Sequence, residues 1–156
     1  MAKVSLSQNT FESLVKHLVE IEEKKKSLLE EFFPENPAER SEMELYIHNY
    51  IQQIDQLIKN TNKLQTTDNM IPFVTIGSEV ELQDLSTQEV FKYHIVYPFS
   101  DNIKEEDVSF LSPVGKSLLL KKAGDIVEVT APGGVFQYEI KSILLHINEL
   151  QINAPI

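Results

Sequence analysis

Apolar residues in the first half of the chain recur at alternating steps of three and four. The first run extends from Phe11 to Phe32 and the second from Met43 to Leu64. This heptad spacing is typical of helices that pack lengthwise against each other. Pro34 and Pro37 separate the runs, because proline lacks an amide donor and crowds the preceding turn. The pattern predicts an antiparallel helical hairpin, either an extended coiled coil or part of a compact bundle.

The start of the second helix has two readings. Asn36 fits an N-cap with Pro37 at the first helical position, and Ser41 fits an N-cap with Glu44 three residues later. The sequence leaves both starts open. In either case acidic side chains gather near a helix N-terminus, where the macrodipole favours negative charge.

Residues 63–72 lose the heptad and become polar, which predicts a linker with a boundary near Asn69. The hairpin domain is therefore assigned to residues 1–69 and a second domain to residues 70–156. In the second domain the period changes to two, and β-branched and aromatic residues become frequent, as in strands. The predicted strands are Val74–Leu85, Glu89–Pro98, Val108–Leu111, Asp125–Thr130 and Val135–Leu145.

One short helix interrupts these strands. Ser112 fits an N-cap followed by Pro113, and the helix is predicted to run to Leu120 and to stop at Gly124. The fold class is α+β: an N-terminal antiparallel helical hairpin followed by an antiparallel sheet with one short helix. Seven aromatic residues of the second domain are predicted to be core residues of the strands: Phe91, Tyr93, Tyr97, Phe99, Phe110, Phe136 and Tyr138.

The charge of the chain is concentrated at the turn of the hairpin. Of a formal net charge of -10, half falls in residues 30–44, which hold six glutamates and one arginine. Such a chain is a poor match for general phosphate binding, so a partner should be basic or should hold a cation. The chain has no cysteine, no signal-like start and no long apolar run, which predicts a cytoplasmic protein that contacts no membrane. Four histidines, His17, His48, His94 and His146, stand singly with no second ligand at metal spacing.

The run from Ser112 to Ile140, SPVGKSLLLKKAGDIVEVTAPGGVFQYEI, resembles the C-terminal domain of the bacterial GreA/GreB transcript-cleavage factors. The matching parts are Ser-Pro at 112–113, Lys-Lys-x-Gly-Asp at 121–125 and Ala-Pro-Gly-Gly at 131–134. In the hairpin, the family's Asp-Leu-Ser-Glu followed by Tyr is matched by Glu39-Arg40-Ser41-Glu42 with Tyr46. Glu39 stands where the family has Asp, and Arg40 where it has an apolar residue.

The resemblance implies a coiled coil joined to an FKBP-like domain that docks on RNA polymerase, while the hairpin enters the secondary channel. Glu39 and Glu42, with Glu35 and Glu44 as substitutes, are implied to help hold the second Mg²⁺ of the polymerase during cleavage of backtracked RNA. Carboxylates suit that hard cation. Ser112, Pro113 and Val114 are implied to meet the polymerase. The factor is then a monomer with no cofactor of its own, is no enzyme itself, and contacts the nascent RNA 3′ end and DNA only indirectly.

Three alternatives remain open at this stage. A tip dense in carboxylates suits a family member that enters the channel, competes for it and inhibits the polymerase without stimulating cleavage. The FKBP-like fold raises peptidyl-prolyl isomerase activity, which needs a concave aromatic-lined pocket. The cluster Lys24–Lys26 suits either a solvated helix face paired with Glu20 and Glu22, or a contact with RNA or with an acidic part of the channel.

Overall fold

The computed structural model describes residues 4–32, 37–64, 70–98, 105–131 and 133–145 of the chain. Their contacts divide the protein into two units, Met1–Thr67 and Asp68–Ile156. The predicted boundary at Asn69 lies outside the described residues. The first unit contains β1 (Val4–Ser7), α1 (Gln8–Phe32), α2 (Pro37–Lys59) and β2 (Thr61–Leu64). The second contains β3 (Ser78–Asp84), β4 (Val90–Val96), β5 (Asp107–Ser109), α3 (Pro113–Leu118), β6 (Ile126–Ala131) and β7 (Gly134–Leu145).

The two long helices form the predicted hairpin. His17 in the first half of α1 meets Tyr50 in the second half of α2, so the helices run antiparallel. Most of the predicted seam is buried, and no third helix covers it among the described residues of this unit. This supports the extended hairpin over a bundle. The buried seam residues are Leu14, Ile21, Leu28, Met43, Ile47, Tyr50, Ile54 and Leu57.

The base of the hairpin carries two short strands that the sequence pattern did not predict. β1 pairs with β2 in parallel, with Val4 opposite Thr61 and Ser7 opposite Leu64. The predicted helical seam through Thr61 and Leu64 is therefore wrong beyond Lys59. The helix stops because the Asn60 side chain donates to the Gln56 carbonyl and the Thr61 hydroxyl donates to the Leu57 carbonyl, which satisfies the last turn. The two paired strands are far apart in the sequence, so no local pattern could have predicted their pairing.

Five strands of the second unit form one sheet in the order β5-β4-β3-β7-β6. The pairs β3–β4, β3–β7 and β6–β7 are antiparallel, as predicted. The edge strand β5 instead runs parallel to β4, so the sheet is mixed. Two parallel neighbours cannot be joined by a tight hairpin turn, so the local alternation of residues gave no sign of this direction.

One face of this sheet holds the core of the second unit. Along β3 the buried positions alternate, with Val80 and Leu82 fully buried, as the period of two predicted. The aromatic residues depart from prediction, because only Phe110 is buried and Phe99 lies outside the described residues. The others are half-buried: Phe91, Tyr93, Tyr97, Phe136 and Tyr138. Three of these rings pack on one another, with the ring centroid of Phe91 at 5.3 Å from that of Tyr93 and 5.2 Å from that of Tyr138.

The short helix α3 begins as predicted and ends earlier. Ser112 is its N-cap and Pro113 its first residue, but the helix ends at Leu118 rather than Leu120. Leu120 takes a positive φ of 69° and donates its amide to the Val74 carbonyl at 2.8 Å. Backbone pairing with Val74 thus draws the chain out of the helix. Gly124, the predicted stop, lies in the following turn with a φ of 92°.

Candidate functional site

The tip of the hairpin is the first candidate site. α2 begins at Pro37, so Ser41 lies inside the helix and the predicted Ser41 cap is wrong. The other predicted cap, Asn36, lies outside the described residues, as does Glu35. With the helix formed from Pro37, Glu39 and Glu42 are separated by about one turn and share a face. Both carboxylates are exposed to solvent.

Neighbouring residues on α2 distinguish this pair from Glu44. Glu44 is also exposed, but it lies five residues from Glu39, which places it about 140° away around the helix. Met43 is buried against α1, and Tyr46 is half-buried, so this side of α2 is fixed by packing. Burial raises the pKa of Tyr46 and keeps its phenol neutral. The pair Glu39 and Glu42 therefore projects from a part of α2 that packing holds in place.

The last turn of α1 adds further negative charge at the tip of the hairpin. Glu30 and Glu31 are exposed in the last turn of α1, which has no basic residue. A helix C-terminus disfavours negative charge, so this placement costs some stability. Lys26 lies 3.9 Å from Glu30, and both side chains are exposed, so the pair offsets little of that cost. Helix stability alone does not account for the acidic tip.

Two carboxylates are an incomplete ligand set for a metal ion. Among the described residues there is no group of three or more side chains placed to hold one. Glu39 and Glu42 nevertheless offer oxygen donors of the type that Mg²⁺ prefers, and they are open to solvent on one face.

The lysine cluster of α1 is partly paired. Lys24 lies 2.6 Å from Glu20, as predicted for a solvated helix face. Lys26 lies closer to Glu30, in the next turn of the helix, than to the predicted partner Glu22.

No helix in the described part of the chain is long and apolar enough to cross a membrane.

The corner between β5 and α3 is the second candidate site. The Ser112 hydroxyl donates to the Ser109 carbonyl at 2.7 Å and accepts from the Gly115 amide at 3.1 Å. Pro113 is exposed and Val114 half-buried, so the first turn of α3 presents an apolar surface. The N-cap at Ser112 fixes where that surface lies.

Two histidines that looked isolated in the sequence have partners in the structure. His17 Nε2 is 2.7 Å from the Tyr50 hydroxyl, and neither residue is exposed. His94 Nδ1 is 3.1 Å from Asp107 Oδ1, next to the corner strand β5. His48 is exposed, and His146 lies outside the described residues. The partners are 33 and 13 residues away, so no local spacing could have shown them.

Comparisons with known proteins agree on one family. The family model described as "Transcription elongation factor, GreA/GreB, C-term" matches residues 69–144. Transcription elongation factor GreA of Acetivibrio thermocellus is 38% identical over 98 residues, which cover 63% of this chain and 62% of that protein. Transcription elongation factor GreA of Thermotoga neapolitana is 32% identical over 154 residues, which cover 92% of this chain and 98% of that protein. The chain belongs to the GreA/GreB family of transcription elongation factors.

The fold agrees with this membership. A solved structure, the prokaryotic transcription elongation factor GreA/GreB from Nitrosomonas europaea, covers 92% of this chain and 99% of its own with a TM-score of 0.52 at 22% identity. The likeness confirms the predicted α+β class of a GreA/GreB factor, with a helical hairpin and a following sheet. The family model covers the sheet unit, whereas the Thermotoga neapolitana relative also spans the hairpin.

Proposed function

We propose that this GreA/GreB factor binds RNA polymerase at its secondary channel and stimulates the polymerase's own Mg²⁺-dependent cleavage of backtracked transcripts. The observation that carries the proposal is the exposed pair Glu39 and Glu42 on the first turns of α2, at the far end of a two-helix arm. At about 1.5 Å per residue, the 25 residues of α1 give the arm a reach of roughly 37 Å. Such an arm suits delivery of carboxylates into a narrow passage.

Under this proposal the factor supplies some of the Mg²⁺ ligands and the polymerase supplies the rest. Glu39 and Glu42 would hold Mg²⁺ jointly with carboxylates of the polymerase, and a bound Mg²⁺ supplies charge stabilisation and activation of water. The factor thus assists a catalytic centre that belongs to the polymerase. It acts in the cytoplasm, together with the polymerase. The sheet unit would bind the polymerase through Ser112, Pro113 and Val114.

A second function is favoured by a specific feature of the tip. Glu39 is one methylene longer than the family's Asp, and Arg40 follows it directly, while Glu30 and Glu31 add charge in the last turn of α1. A reacting group misplaced by about an ångström can cost roughly a hundredfold in rate. A factor with this tip would enter the channel, compete for it and inhibit instead of stimulating cleavage.

The rate of RNA shortening in stalled, backtracked polymerase complexes distinguishes stimulation of cleavage from inhibition. We expect the wild-type factor to accelerate shortening, and the double variant Glu39→Ala/Glu42→Ala to lose at least about a hundredfold of that acceleration while binding normally. The matched control is Glu30→Ala/Glu31→Ala, which removes the same charge from the neighbouring helix and should keep the activity. Full activity of the first variant would refute the tip assignment. Binding of the wild-type protein without acceleration would favour the inhibitor.

A further inference from the structure

The pair formed by His94 and Asp107 stands at the edge of the sheet. Their side chains are 9% and 7% exposed, and Nδ1 of the imidazole lies 3.1 Å from Oδ1 of the carboxylate. The two residues are also backbone partners, as the first matched positions of β4 and β5. Loss of one member of a buried polar pair is costly, because the other loses its partner without regaining water.

The strand β5, which carries Asp107, is short and lies at the edge of the sheet. β5 is three residues long, lies at the edge of the sheet and pairs only with β4 among the described strands. Short parallel edge pairings are weak. The flanking backbone bonds are those from the His94 amide to the Glu106 carbonyl at 2.9 Å and from the Phe110 amide to the Val96 carbonyl at 3.0 Å. The side-chain pair therefore reinforces the end at which β5 begins.

Hydrogen bonds join the end of β5 to the corner at α3, so the position of β5 determines where that corner lies. The Ser109 carbonyl, at the end of β5, accepts from both the Ser112 amide at 3.0 Å and the Ser112 hydroxyl at 2.7 Å. Gly115 packs so closely on this carbonyl that an added Cβ would lie 2.1 Å from it. With this close packing, a shift of β5 would move Ser112 and with it Pro113.

We propose that His94 and Asp107 are positioning residues for the polymerase-binding corner, which they hold in place through β5. The inference rests on the proposed function for its binding partner. The link from the pair to the corner is a property of the sheet unit itself. Under this inference, His94 and Asp107 affect the affinity for RNA polymerase and do not affect the chemistry at the hairpin tip.

The test compares Asp107→Ala with Asp107→Asn, which keeps a carbonyl oxygen to accept from His94. In Asp107→Ala we expect faster amide hydrogen exchange at Ser112 and Gly115 and at least about tenfold weaker binding to RNA polymerase in competition. Cleavage at saturating factor should match the wild type. Asp107→Asn should recover most of the affinity, and His94→Gln serves as a second hydrogen-bonding variant should Asp107→Ala not fold.

A control separates positioning from general loss of stability. Leu82→Val trims a buried residue of β3 beside Phe91, at the end of β4 away from β5. It should lower the unfolding temperature and leave the affinity unchanged. Wild-type affinity in Asp107→Ala, or an affinity loss in Leu82→Val that matches its loss of stability, would overturn the inference. If the wild-type factor does not bind polymerase, the proposed function fails, whereas unchanged exchange at Ser112 and Gly115 would refute the link itself.

Discussion

At the scale of single residues, His17 shows how burial sets the charge of a side chain. It lies in the seam between α1 and α2 with no solvent exposure and shares a hydrogen bond with the Tyr50 hydroxyl. Burial, aided by the positive charge of Lys24, lowers the pKa of His17 from 6.5 to about 4. The imidazole is therefore neutral in the folded protein at neutral pH. A polar pair at a seam position also favours one alignment of the two helices over others.

This pKa shift predicts a pH dependence of stability. Between pH 6.5 and about 4 the unfolded chain binds a proton at His17 that the folded protein excludes, so the free energy of unfolding falls as the pH drops through this window. The loss from His17 is on the order of 3 kcal/mol when the window is crossed completely. Denaturant unfolding of the wild type and of His17→Gln at several pH values measures it.

The difference between the two proteins isolates the contribution of His17 from those of all other ionisable groups. His17→Gln keeps a hydrogen-bonding side chain beside Tyr50 but cannot titrate, so its stability should decline less steeply. The control His48→Gln removes an exposed histidine of α2 and should follow the wild type. Equal slopes for wild type and His17→Gln would contradict the prediction.

At the scale of elements, the contact between α3 and β5 depends on one missing side chain. Gly115 is buried, and a Cβ at this position would lie 2.1 Å from the Ser109 carbonyl oxygen and 2.8 Å from the Phe110 Cα. Both neighbours are backbone atoms, which cannot rotate away. The helix can approach the strand this closely only with glycine at this position.

Replacement of this glycine should therefore destabilise the sheet unit. We expect Gly115→Ala to lower the free energy of unfolding by about 1–3 kcal/mol or more through overpacking. Gly133→Ala is the matched control, because among the described residues its added Cβ would meet the Phe136 ring at 3.6 Å, an ordinary contact. It should change stability by less than about 0.5 kcal/mol. Thermal and denaturant unfolding report both, and equal effects would refute the packing argument.

At the scale of the whole molecule, the proposed function assigns a different task to each unit. The hairpin unit carries the carboxylates Glu39 and Glu42, and the sheet unit carries the corner at Ser112 and Pro113. Binding and stimulation of cleavage should therefore be separable by mutation.

Pro113→Asp tests this separation from the side of binding. It places a charge on the exposed first turn of α3 and should weaken polymerase binding by at least about tenfold, while cleavage at saturating factor is kept. Ser86→Asp adds the same charge in the exposed turn between β3 and β4, at the other end of β4, and should bind normally. Unchanged affinity in a competition measurement with Pro113→Asp would remove the corner from the interface.

The sequence by itself determined the features that depend on near neighbours along the chain. The heptad steps gave the two long helices, the alternation gave β3, and Ser112 with Pro113 gave the start of α3, since periodicity and capping act over a few residues. The motifs at 112–134 indicated the GreA/GreB family, which the full-length relatives confirm. The acidic tip was visible as a local concentration of charge.

The tertiary structure alone decided the features that join distant segments. The pairing of β1 with β2, the parallel direction of β5 and the early end of α3 at Leu118 each depend on a backbone partner far away in sequence. The pairs His17–Tyr50 and His94–Asp107 join residues 33 and 13 positions apart. No periodicity or capping rule encodes such contacts, because their energy comes from burial and hydrogen bonds that exist only once the chain has folded.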